Sequence, residues 1–178
     1  GGDTPDDAPV VMVSWYDAQT YAAWLSRKLG ESYRLPTDEE WTYAAGSRAP
    51  DERQFKVGGD AVARWIARFE REANAEPAEQ APQRLGYFGV NENGLLDVAG
   101  NVWEWTSSCY TRTVLDAAGN MMGPGVRNCG VRIAAGRHRA YMSDFIRDPR
   151  GGGCAAGVPP SNLGFRLVRE SKRVWSLF

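Results

Sequence analysis

The 178-residue chain has 21 Lys and Arg against 22 Asp and Glu, a formal net charge of −1, with 43% hydrophobic residues, 20 Gly and 7 Trp. Balanced charge lacks the electrostatic signature of a nucleic-acid or anionic-membrane partner, and no apolar run approaches the roughly 20 residues of a spanning helix. Ordinary charged and aromatic content predicts a globular chain rather than a disordered one, long enough for a single domain with a sizeable core.

Residues 1–9 (GGDTPDDAP) are acidic and rich in Gly and Pro, and read as a flexible segment. The apolar run VVMVSW after Pro9 predicts a short strand. Ser14 followed by Asp17 has capping-box spacing and opens a helix over YDAQTYAAWLSRKLG. Ala18, Tyr21, Ala22, Leu25 and Leu29 recur at helical spacing as its apolar face, and Gly30 is placed to stop it. Thr37 with Glu40 repeats the device after Pro36, beginning TDEEWTYAAG, which ends at Gly46. Val62, Trp65, Ile66 and Phe69 predict a third helix over DAVARWIARFEREA, with Arg64, Arg68, Glu70, Arg71 and Glu72 as its solvated face. NAEPAEQAP is a polar linker, after which Gly-rich turns and short strands run to NLGFRLV. Helices first and irregular β structure second predict an α+β fold.

Three cysteines, Cys109, Cys129 and Cys154, form no C-x-x-C pair, which argues against a zinc ribbon or a thioredoxin-type motif. An odd count allows one disulfide with a free thiol, or three thiols. Cys154, in RGGGCAAG, reads either as a reactive thiol or as the partner of Cys129 or Cys109, with pairing the expected form.

Within DVAGNVWEW, strand geometry sends Trp103 and Trp105 to one face and Val102 and Glu104 to the other. A carboxylate in such a setting needs a cation or hydrogen-bond donors, because an unpaired buried charge is costly. Calcium, which takes six to eight oxygens, is one answer, and backbone N–H groups are the other. Arg166 reads as structural, its fork satisfying loop carbonyls, with Asn162 and Gly164 turning the chain into the last strand.

Four segments in this order, VSWYDAQTYAAWLS, YRLPTDEEWTYAA, NGLLDVAGNVWEW and NLGFRLV, resemble the formylglycine-generating enzyme, or sulfatase-modifying-factor, domain family from about Val10 to Val168. The resemblance implies a loop-rich variant of the C-type-lectin-like fold. It also implies one domain over residues 10–178 that lacks the N-terminal strands family members usually carry. By similarity, a structural calcium is expected on the carbonyls of Ala99, Gly100 and Val102 and the side chain of Glu104, with Asn101 fixing the turn. Asn74 matches one ligand of the family's second calcium site, whose acidic loop is not recognisable here.

In formylglycine-generating enzymes the region matching GVRIAAGRHRAYMSDFIRDPRGGG carries two cysteines that bind copper and activate oxygen. Soft thiolates are what Cu(I) requires. Here that stretch holds Arg137, His138, Ser143 and Asp144, with no cysteine, and the family's Gly-Gly-Ser-aromatic turn has become Ala134-Ala135-Gly136-Arg137. No copper site of the family type is therefore expected, and any catalytic metal is unassigned. His138 is the single histidine, so a multi-histidine site cannot form within this chain. Arg137, His138, Arg139, Arg147 and Arg150 with Asp144 and Asp148 read either as a clamp for an anionic or peptide-like substrate, with His138 or Asp144 as general base, or as a salt-bridged loop. The resemblance adds Trp105 to that pocket. Branches of the family without the copper cysteines include a periplasmic protein maturing the pyoverdine chromophore and nitrite-reductase accessory proteins. The expectation is thus an oxidative tailoring or maturation protein acting on a peptide or protein, in periplasm or cytoplasm. A non-catalytic binding module on the same scaffold is the alternative.

Overall fold

The computed structural model describes residues 6–49, 81–112, 116, 120–136, 140–143 and 162–170. The expected third helix, Asn74, Arg137, His138, Asp144 and Cys154 lie outside them.

Both capping boxes form as their spacing predicts. Helix α1 (Trp15–Leu29) begins with Ser14 accepting from the Asp17 amide while the Asp17 side chain takes the Ser14 amide, and it ends at Gly30 with φ 67°. Helix α2 (Asp38–Ala45) starts from the same reciprocal pair, Thr37 and Glu40. Each cap stabilises its helix by about 1 kcal/mol. A 3₁₀ turn, Gly46–Arg48, continues from α2. The buried face of α1 is narrower than its periodicity predicts: Ala18 and Ala22 are buried, whereas Tyr21 is 46% and Leu29 53% exposed. Small side chains let the helix approach closely, so the larger residues on either side stay at the rim.

Two sheets complete the fold. Strands β1 (Tyr33–Arg34) and β6 (Val168–Arg169) form an antiparallel pair. The main sheet contains β2 (Trp103–Arg112), β3 (Val126–Ala135), β4 (Ala140–Ser143) and β5 (Leu163–Phe165), in the order β4-β3-β2-β5. All its pairings are antiparallel except β2 with β5. Residues 10–14 do not form the expected strand. Met12 sits at φ 60°, which breaks the extended path, and its amide donates to the Leu163 carbonyl at 3.0 Å. Residues 6–9 are turn-like, and the Asp7 carbonyl accepts from the Leu85 amide, so this part of the expected flexible segment is tied down.

The alternation expected along β2 places one core on each face of the sheet. Trp103, Trp105, Ala134 and Leu163 pack with Ala18 and Leu35 beneath α1. Ala135 packs with Trp41, Ala45 and Val98 beneath α2. Full burial of side chains of this size stabilises by roughly 1.5–3 kcal/mol each.

Candidate functional site

Strand β2 carries two chemically different stations. The first is Glu104, 4% exposed, on the α2 face of the sheet. Its carboxylate accepts from Arg166 Nε at 2.5 Å and Nη2 at 2.6 Å, and from Trp41 Nε1 at 2.6 Å. The expectation that Arg166 serves loop carbonyls holds only for a long 3.4 Å contact to Leu96, because its fork is spent on Glu104. Burial pushes the guanidinium down, but the hydrogen bonds and charge of Glu104, with Asp97 behind them, leave it above its ordinary value.

This arrangement answers the need for donors with an arginine and an indole, neither of which the sequence reading assigned to Glu104. With Glu104 so held, the donor set does not fit calcium. The ion would meet a carboxylate already neutralised by a guanidinium. Asp97 is committed to the amides of Gly86 and Phe88, at 2.5 and 2.7 Å. Asn162 Oδ1 is buried without a hydrogen-bond partner near Asn101, but a neutral amide oxygen does not replace the missing charge. Ala99 adopts φ 60° in the turn before β2. Asn101, expected to fix that turn, instead exchanges two hydrogen bonds with the backbone of Gln83, at 2.9 and 2.8 Å. Among the described residues no group of three or more His, Cys, Asp or Glu is placed to hold a metal.

Of the expected pocket, Trp105 and the strand position of Ser143 are described. Trp105 is completely buried, and its indole N–H donates to the Val13 carbonyl at 2.9 Å, so it packs the core rather than lining an open site. Ala134 pairs with Ala140 and Val131 with Ser143. Ser143 therefore ends β4, roughly 10 Å of strand from Ala140 at 3.4 Å per residue. Gly136 follows β3 and lies against the face of Trp103, where a Cβ would lie 2.8 Å from Cε3. This close approach is the physical reason that a glycine suits position 136.

The second station is Cys109, near the far end of β2. It is bonded to Cys129 of β3, with Cα atoms 4.5 Å apart. Cys154 therefore pairs with neither, contrary to expectation. Arg132 Nη1 lies 3.2 Å from Cys109 Sγ and donates to the Ser107 carbonyl at 3.0 Å, while its guanidinium stacks 4.0 Å over Trp15. Beside the disulfide runs an open groove of about 510 Å³. Nothing in the sequence pattern singled out Arg132. The register break at Cys109, which brings Arg132 opposite it, has no local sequence signal.

Comparison with known proteins agrees with this frame. A family model described as the sulfatase-modifying factor enzyme 1-like domain matches residues 2–171. The formylglycine-generating enzyme of Streptomyces coelicolor is 30% identical over 172 residues, 92% of this chain and 53% of that protein. The inactive C-alpha-formylglycine-generating enzyme 2 of Mus musculus is 38% identical over 175 residues, 94% of this chain and 51% of that protein. The chain thus spans about half the length of these curated relatives. In fold it is similar to PvdO from Pseudomonas aeruginosa, with a TM-score of 0.57 at 23% identity over 95% of this chain and 64% of that one. It is also similar to Treponema denticola variable protein 1, with a TM-score of 0.56 at 20% identity over 93% and 72% of the two chains. With its α+β frame in place and the family model covering nearly its whole length, the chain belongs to the sulfatase-modifying-factor family, that of the formylglycine-generating enzymes.

Proposed function

We propose that the chain belongs to a divergent protein that tailors or matures a peptide or protein substrate by oxidation, without the two-cysteine copper mechanism. The Cys109–Cys129 disulfide carries this reading. Of three cysteines in the chain it consumes two, leaving one where a thiolate pair for copper needs two. Arg137 is the residue proposed to hold an anionic or peptide carboxylate group, with His138 or Asp144 as general base. The proposal assigns Glu104 to Arg166 rather than to calcium, and includes neither nucleic acid nor membrane as a partner. Among the described residues no helix is long and apolar enough to cross a membrane.

The test is turnover. The full chain, incubated aerobically with a panel of short synthetic peptides, is expected to change the mass of at least one. Arg137→Ala and His138→Ala are expected to abolish the change while leaving the circular dichroism spectrum intact. A second reading, a non-catalytic binding module, draws on the presence of inactive C-alpha-formylglycine-generating enzyme 2 proteins among the relatives, 38% identical in mouse and 32% in cattle. Saturable peptide binding with no change of mass supports that reading and rejects the first.

A further inference from the structure

We propose that Asn93–Gly94 is a self-modification site, at which intramolecular deamidation converts Asn93 to aspartate or isoaspartate and uncaps helix α2. The docking of residues 91–95 on the end of that helix gates the reaction. This inference concerns a site apart from the oxidation proposed above and does not depend on it.

Of the seven asparagines in the chain, Asn93 is the one followed by glycine. Deamidation requires the next backbone nitrogen to reach the asparagine Cγ, and glycine, with no Cβ, leaves that approach unhindered. Asn93 and Gly94 are both exposed, so water reaches them. Yet the structure holds both reacting groups. The Gly94 amide donates to the Asn91 carbonyl at 3.0 Å. Asn93 Nδ2, the group that must leave, donates to the carbonyls of Tyr43 and Ala44 at 3.3 and 3.2 Å. Beside it Asn91 Nδ2 donates to the carbonyls of Ala44 and Ala45 at 2.8 and 3.1 Å, and its Oδ1 accepts from the Asn93 and Leu95 amides. Helix α2 has no basic residue in its last turn, and two asparagine side chains from one turn meet its final carbonyls instead. Attack must wait until that turn lifts off the helix.

Once it has lifted, the Gly94 nitrogen bonds to Asn93 Cγ and the Cγ–Nδ2 bond breaks. The Gly94 amide proton departs with the amine as ammonia, leaving a succinimide. Water then opens the ring. Addition at Cγ restores the backbone with aspartate at 93, and addition at the main-chain carbonyl leaves the chain running through Cβ as isoaspartate. Neither product can donate to Tyr43 and Ala44. Each sets a carboxylate against carbonyl oxygens at the negative end of the helix dipole, which opposes redocking. Isoaspartate also lengthens the backbone inside a turn closed by the Val90–Leu96 bridge. The step needs only water and is irreversible, so each excursion of the turn risks a permanent loss of the cap.

The test incubates the full chain, and separately a synthetic VNENGLL peptide, in mildly alkaline buffer, followed by peptide mapping and labelling with an isoaspartyl methyltransferase. Isoaspartate is expected at Asn93 in higher yield than at Asn101, Asn120 or Asn128. It should form about tenfold or more slowly than in the peptide, because several hydrogen bonds must open first. Asn91→Ala, which removes the neighbouring docking bonds, is expected to bring the rate toward that of the peptide. Should that variant fail to fold, sub-denaturing urea is expected to accelerate the unaltered chain in the same way. Asn93→Asp is expected to lower the urea midpoint below that of Asn93→Ala, since it adds a charge where alanine only removes a donor. No modification at Asn93, equal rates in chain and peptide, or equal midpoints for those two variants would overturn the proposal.

Discussion

The two halves of β2 place an arginine beside a reactive group in contrasting settings. At Trp103–Trp105 the strand is paired on both sides, with β3 and with β5, and these residues are at most 8% exposed. There Arg166 meets a carboxylate whose every donor is protein. At Cys109–Arg112 β3 is the one strand neighbour among the described residues, the register shifts around Cys109, and Arg132 lies against a disulfide sulfur whose residue is buried beside an open groove. A guanidinium in the closed half fixes structure, because nothing can compete for its partner. In the open half it braces a cross-strand disulfide where one neighbouring strand is missing among the described residues.

The largest expected effect falls on the closed half. Arg166→Met leaves Glu104 buried with Trp41 as its remaining donor, and is expected to cost about 3–5 kcal/mol in urea unfolding. Adding Glu104→Gln should return part of that loss. Calcium or a chelator is expected to leave the unfolding midpoint of the unaltered chain where it is, and a calcium-dependent rise would return Glu104 to a metal. Next comes Gly136→Ala, whose Cβ would lie 2.8 Å from Trp103 Cε3. Overpacking of this kind costs about 1–3 kcal/mol, measured by the same unfolding curves. If it costs nothing, the closed half is looser than its burial implies.

The smallest effect lies outside both halves, at the helix cap. Arg34 and the Thr37 amide hold the Glu40 carboxyl down to about 2 from an ordinary 4.5. As pH falls the unfolded chain takes up this proton first, so stability falls with it. The contribution is complete above pH 4.5 and is lost as pH drops through 2. Because both partners are more than a third exposed, the effect stays below about 1 kcal/mol. Glu40→Gln is expected to flatten that part of the acid unfolding profile and leave neutral pH almost unchanged.

What the sequence makes legible is local. Ser14 with Asp17 and Thr37 with Glu40 announce both helices, since a capping box closes within four residues and needs no tertiary partner. Alternation in WEW sorts Trp103 and Trp105 from Glu104 for the same reason. The partners of Glu104 are distant: Trp41 lies 63 positions away and Arg166 lies 62 away, and no spacing rule reaches that far. The Cys109 bond to Cys129 was one of several pairings open to three cysteines, and Arg132 acquired its place only through a break in register. VVMVSW misled because its composition suits a strand, while Met12 takes a left-handed conformation that composition does not reveal.

The parallel pairing of β5 with β2 bears on how the molecule is made. Trp103 pairs with Leu163, and no local hairpin can bring such strands together. Closing so large a loop is entropically costly and slow compared with zipping β2 to β3. During synthesis the β2–β3 pair is therefore available before Arg166 has left the ribosome, with Trp41 as the one described side-chain donor for Glu104. A nascent chain stalled short of NLGFR would present its tryptophan core and a carboxylate without its arginine to whatever chaperone is at hand, and the arrival of β5 with Arg166 ends that exposure.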